Sequence, residues 1–266
     1  MPKIIYFVTE DWYFWSHRLS LARAAQKSGF QVTVLTRVNK YKDLIESEGF
    51  NLIPLELVRS SKNIFVELLC FLEIIKIFRR EKPDIVHNVA LKPILYGTWA
   101  ARFSRVPCVV NLFAGITTKF HAKKWKSIIL GTLVDLVFRF GFWNNNAYAI
   151  FQNSFDRKAF LDKNLLLEEN TGIICGSGVS LTKFIDTPEP DGSPLVILAS
   201  RMLWDKGVGE FVEAAKILKN EKISCRMILV GNPDPENPVP LPKDLILKWQ
   251  SEGWIEWWEH RDRKRV

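Results

Sequence analysis

Short apolar runs and longer amphipathic stretches alternate along this chain from its first residues. KIIYFV (3–8), QVTVLTR (31–37), FNLIPLEL (50–57), PDIVHNV (83–89), PCVVNLF (107–113), AYAIFQN (147–153) and TGIICGSGV (171–179) are rich in Val, Ile and aromatic residues. Such runs suit strands buried on both faces, as in a parallel sheet. Between them the spacing changes. Leu19, Ala22, Ala25 and Gln26 recur at helical intervals in SHRLSLARAAQKSGF, a pattern that stops at Gly29. YKDLIESEG, NIFVELLCFLEIIKIFRREK (63–82), PILYGTWAARFS, an apolar and basic region over 123–142, and SFDRKAFLDK read as further helices. TEDWYFWSH (9–17), between the first strand and the helix that His17 and Arg18 open, reads as a loop crowded with aromatics. Strands alternating with helices predict right-handed βαβ crossovers and a parallel α/β sheet.

TPEPDGSP (187–194) breaks the pattern with proline, glycine and acids, which marks a linker. The alternation then restarts with strand LVILAS, helix GVGEFVEAAKILKN, strand CRMILVG, a proline-rich loop NPDPENPVPLP, helix KDLILKWQSEG and strand IEWW. The predicted organisation is an N-terminal domain over 1–186, a linker over 187–194 and a smaller second domain over 195–266. Two doubly wound sheets in tandem place a ligand crevice at the carboxyl ends of their strands.

Charge and cysteine narrow the class. Among 266 residues, 37 basic against 29 acidic side chains leave a net charge of +8, which favours anionic partners. The basic residues are spread over many helices and no nucleic-acid motif appears, so nucleic acid is not expected as a partner. Cys70, Cys108, Cys175 and Cys225 stand far apart, without metal-ligand spacing, so a reducing compartment and no metal or other cofactor are expected. No stretch resembles a secretory signal, and the apolar run nearest to membrane-spanning length, 127–143, is broken by Asp135 and Arg139. The segment 120–143 mixes lysines with aromatics. It reads either as a helix covering the first sheet or as a basic amphipathic helix on a membrane surface. A cytoplasmic protein, peripheral on the inner membrane if that segment meets lipid, is the corresponding expectation.

The most chemically suggestive stretch is ASRMLWDKGVGEFVEAAKIL (199–218). Arg201 follows a predicted strand, and Lys206 and Gly207 precede a predicted helix. Arginine grips anionic oxygens as a fork, lysine adds a point charge, and the amides of a helix start point the same way. Together they suit a diphosphate; read blandly, they are two surface cations beside a loop.

SRMLWDKGVGEFVEAAKIL also resembles the R-x4-K-G stretch of the retaining family 4 glycosyltransferases, whose fold is the two-domain GT-B architecture. The blocks DWYFWSHRLSLARAAQKSGFQVTVLTR, PDIVHNVALKPILYGTWAAR, VVNLFAG and GSGVSLTKF resemble, in order, a subgroup that assembles surface polysaccharide, lipopolysaccharide and lipid-linked glycans. The resemblance implies a GT-B-like α/β chain with a complete N-terminal Rossmann-like domain and a partial C-terminal one. It implies that Arg201, Lys206 and Gly207 bind the diphosphate of a UDP-type sugar donor. It makes His87, read as ending strand PDIVH, the group that orients or polarises the donor sugar; a satisfied core histidine is the bland reading. His17, Arg18, Lys92 and Gly115 become candidates for the acceptor or sugar cleft, Lys92 through an acceptor phosphate. Where relatives often carry a glycine-rich turn after the first strand, TEDWYFWSH has no glycine, which moves the expectation there from backbone amides to aromatic side chains.

Full-length relatives continue into an E-x7-E pair of carboxylates, and this sequence ends in EHRDRKRV before either. A C-terminally truncated glycosyltransferase of low activity is therefore expected. A UDP-sugar epimerase of the same fold, and a non-catalytic phosphate-binding or membrane-docking remnant, are the alternatives.

Overall fold

A computed structural model describes residues 1–57, 63–114, 135–136, 138–142, 146–182, 184–189, 191–235, 237, 239–259 and 261. The chain divides into two compact units, Met1–Phe184 and Ile185–Val266.

In the first unit, β1 (Lys3–Glu10), β2 (Gln31–Arg37), β3 (Asn51–Pro54), β4 (Ile85–Val89), β5 (Cys108–Phe113), β6 (Ala147–Phe151) and β7 (Thr171–Ile173) form one sheet. Its order is β3-β2-β1-β4-β5-β6-β7, with every pairing parallel. The chain runs outward from β1 to β3, then returns to β4 and runs the other way. This reversal between β1 and β4 is the point at which doubly wound sheets open for ligands.

Strand alternation sends successive side chains to opposite faces, and each face has its own core. On one face Ile5, Phe7, Leu35, Val86, Val109, Phe113 and Phe151 pack with α4 (Ile64–Glu81), α5 (Leu91–Phe103) and α6 (Ser154–Asp162). Phe113 stacks on Phe151 at 4.8 Å between ring centroids, and Phe160 closes on both. On the other face Ile4, Tyr6, Val8, Val32 and Val34 meet Phe14, Ala22 and Ile45. These three come from α1 (Asp11–His17), α2 (Leu19–Lys27) and α3 (Lys42–Ser47).

Several sequence expectations are corrected here. The aromatic loop after β1 is a helix, α1. Its start is fixed by Asp11, whose fully buried carboxylate accepts from the amides of Trp12, Asn39 and Tyr41 at 2.7, 2.6 and 3.0 Å. An acid at that position also complements the positive end of the helix. His17 accordingly does not open the next helix: it ends α1, and Arg18 alone stands at the start of α2 as its N-cap. His87 does not end its strand either, because β4 continues through Asn88 and Val89. Asn111 lies inside β5, fully buried, and accepts from Asn88 Nδ2 at 2.8 Å and Thr98 Oγ1 at 3.1 Å.

α5 sits unusually close to β4. A Cβ added to Gly97 would stand 2.0 Å from Asn88 Oδ1, so glycine is what allows the helix to approach. Among the described residues no helix is long and apolar enough to cross a membrane.

The second unit is a parallel sheet of β8 (Leu195–Ala199), β9 (Arg226–Val230) and β10 (Glu256–Trp258), ordered β10-β9-β8. α7 (Val208–Asn220) and α8 (Lys243–Ser251) supply Val208, Val212, Ala215 and Ile246 to a core shared with Met202, Met227, Leu229 and Ile255.

Candidate active site

In the C-terminal unit the chain leaving β8 is fastened to the turn that follows β9. Ser200 N donates to Val230 O and Met202 N to Asn232 O, both at 3.0 Å, and Met202 forms a β-bridge with Pro233. Gly231 makes this contact possible. Its φ is 134°, and a Cβ there would lie 2.0 Å from the carbonyl oxygen of Ser200. Met202 and Leu203 are fully buried and pin the segment from below.

Arg201, between the bridged strand end and this anchor, keeps half of its side chain in solvent. Its Nη1 donates to Asp234 Oδ2 at 2.8 Å. One 3-10 turn, Trp204–Lys206, follows, and Gly207 in the left-handed region (φ 73°) then leads into α7. No side chain caps the start of α7, so its first amides carry the helix's partial positive charge outward. Lys206 is exposed and makes no ion pair among the described residues. Arg201, Lys206 and the Gly207 cap thus share one loop at the carboxyl end of β8.

In the N-terminal unit the reversal point between β1 and β4 holds a different group. Tyr6 and His87 are register partners on adjacent strands, with ring centroids 5.3 Å apart. Both are almost completely buried. Arg18 lies beside them with 7% of its surface exposed, and its Nη2 donates to Ser177 Oγ at 3.2 Å. Burial, reinforced by the Arg18 charge, pushes the His87 imidazole down to about 3, so it is neutral at ordinary pH. Burial lifts the Tyr6 phenol to about 12, with Arg18 opposing. Arg18 Nε and His87 Nε2 are buried and have no hydrogen-bond partner among the described residues.

The remaining candidates are placed apart from this group. The Lys92 ammonium is 2.7 Å from Glu67 Oε1, and Glu67 also accepts from the Tyr96 hydroxyl, so the lysine ties α5 to α4. His17 is exposed. Its ring stacks on Tyr13 at 4.4 Å, and its Nδ1 lies 2.5 Å from Ser16 Oγ. Gly115 and most of the 120–143 segment lie outside the described residues. Sequence reasoning missed Ser177, Asp234 and the fixing role of Asp11. Ser177 did stand inside the quoted GSGVSLTKF block, and Asp234 in the loop NPDPENPVPLP.

Residues 3–144, just over half of the chain, match the family model described as "Glycosyl transferase 4-like". The chain belongs to that family. A curated relative, the N,N'-diacetylbacillosaminyl-diphospho-undecaprenol alpha-1,3-N-acetylgalactosaminyltransferase of Campylobacter jejuni, is 27% identical over 235 residues, covering 83% of this chain and 61% of the relative. The chain spans about three fifths of the length of the curated relatives it matches. A solved glycosyltransferase from Rickettsia africae superposes with a TM-score of 0.69 at 18% identity, over 98% of this chain and 69% of that one. HepE of Anabaena, solved in complex with UDP-glucose, superposes with a TM-score of 0.65 at 16% identity, over 98% and 70%. The two superpositions show the fold, which is that of GT-B glycosyltransferases.

Proposed function

We propose that this chain transfers a sugar from a UDP-type donor to a lipid-linked or saccharide acceptor in glycan assembly, with retention at the anomeric carbon. The observation that carries the reading is the loop after β8: Arg201, Lys206 and the uncapped start of α7 stand together on a member of a glycosyltransferase family. UDP bound in HepE and the diphospho-undecaprenol acceptor named for the Campylobacter relative support the two substrate classes.

In the proposed reaction the bond between the sugar's anomeric carbon and the β-phosphate oxygen breaks, and its electron pair goes to UDP. An acceptor hydroxyl bonds to the same carbon and gives up its proton to the departing diphosphate. Arg201, Lys206 and the first amides of α7 stabilise the charge that grows on the leaving diphosphate, which accelerates only if they are already in place. In the N-terminal unit, His87 offers substrate a neutral imidazole with a free Nε2, a hydrogen-bonding group and not a proton donor of ordinary acidity.

A lipid-borne acceptor calls for a chain that meets membranes. The first half of α4 supports this reading, since Ile64, Phe65, Leu68, Leu69 and Leu72 are all more than half exposed. The test is incubation of the protein with UDP-sugars, with and without a polyprenyl-diphosphate saccharide. Sugar transfer only when acceptor is present is expected. Conversion of the UDP-sugar without acceptor points instead to an epimerase, and UDP binding without either reaction to a non-catalytic module.

A further inference from the structure

A buried guanidinium is costly unless it is paired, and among the described residues no carboxylate pairs with Arg18. It is more than nine-tenths buried, yet among the described residues its side chain makes one hydrogen bond, to a serine hydroxyl. The carboxylates that precede it in the chain are used elsewhere: Asp11 holds three backbone amides, and Glu10 accepts from Asn39 and lies 3.8 Å from Arg37. The residues of this unit outside the described set contain no Asp or Glu, so the sequence holds no hidden counter-ion for it there.

Its surroundings add positive potential and room for donors. Arg18 is the N-cap of α2, a nine-residue helix whose start carries no side-chain cap. Ser177, its partner, lies in an exposed loop between Gly176 and Gly178. Both glycines hold positive φ, 75° and 67°, and both face open space. The neighbouring His87 presents its own unpartnered Nε2. Helix amides, a guanidinium and a hydroxyl on a glycine-flanked loop are the groups that bind a phosphoryl oxygen.

We propose that Arg18 and Ser177, beside the start of α2, form an anion subsite of the N-terminal unit that takes a phosphoryl group of the acceptor-side substrate. That assignment to the acceptor rests on the transferase reading above, whereas the existence of the anion site does not. The site is separate in sequence from the Arg201 and Lys206 loop, so the two can be tested apart.

The experiment uses the full chain, first titrated with UDP and then, with UDP present, with inorganic pyrophosphate and with farnesyl diphosphate. Imidazole resonances of His87 serve as the reporter, because that ring senses the Arg18 charge. Both diphosphates are expected to shift the His87 signal of the wild type. Arg18→Gln should weaken their binding by roughly tenfold or more, the worth of a charge-assisted hydrogen bond, and leave UDP affinity unchanged. Ser177→Ala, an exposed substitution that keeps the fold if Arg18→Gln does not, should cost roughly threefold. Diphosphate binding that is absent, or equal in wild type and variants, overturns the proposal. So does loss of UDP affinity in Arg18→Gln, which would assign the arginine to the donor. Failure of UDP to bind the wild type counts against the donor reading alone, since the diphosphate comparison can still be made.

Discussion

Asp234 is the residue that most directly competes with the proposed ligand of Arg201. Its carboxylate occupies Nη1 of a guanidinium that is half in solvent, in a pair too exposed to matter much for stability. Asp234→Asn should therefore change unfolding free energy by less than about 1 kcal/mol and tighten UDP binding by roughly threefold, because a like charge beside the diphosphate is gone. Weaker binding in the variant would mean that Asp234 aims the arginine and does not oppose the ligand. His87 gives a second prediction at this scale. Its folded-state value of about 3 lies below the ordinary 6.5, so between these values the unfolded chain holds a proton that the folded chain does not. Stability is kept above pH 6.5 and falls as pH falls through this window, by up to roughly 1.4 kcal/mol per pH unit from this one group. Urea unfolding of His87→Gln should show a shallower loss between about pH 6.5 and about pH 4; an unchanged slope would contradict the burial argument. Neither residue's surroundings were legible in the sequence. Arg201 meets Asp234 across 33 positions and Arg18 meets Ser177 across 159, separations that no local pattern encodes.

At the scale of elements, the strands were the most legible part. Both faces of the first sheet are covered through most of its width, which suits apolar runs in β1, β2, β4 and β5, and their parallel pairing followed from the alternation with helices. α1 was not legible. Trp12, Tyr13, Phe14 and Trp15 are consecutive aromatics that blur helical spacing, and the anchor of the helix is Asp11 holding amides near residue 40. What holds Asn88 inside β4 was likewise hidden, because its side-chain amide donates to Asn111 on the neighbouring strand. The packing of α5 on β4 makes a prediction of its own. Gly97→Ala adds helix propensity but drives a methyl into the buried Asn88 amide, which cannot move without breaking its bond to Asn111. A net loss of about 1–3 kcal/mol is expected by thermal or urea unfolding, and equal or greater stability would contradict so close an approach.

For the whole molecule, the net charge of +8 and the apolar start of α4 give an expectation about surfaces. The protein should co-sediment with anionic vesicles, and Leu69→Glu, at a position two-thirds exposed and so without cost to the core, should reduce the bound fraction. Binding that is unaffected would remove α4 as the contact. The central claim is that the loop after β8 holds the diphosphate of the donor. Calorimetric titration of UDP into the wild type, Arg201→Ala and Lys206→Ala tests it most directly. Saturable binding by the wild type is predicted, weakened by roughly tenfold or more in each variant as one charge-assisted contact is lost. Equal affinity in all three proteins, or no binding of UDP at all, would contradict it.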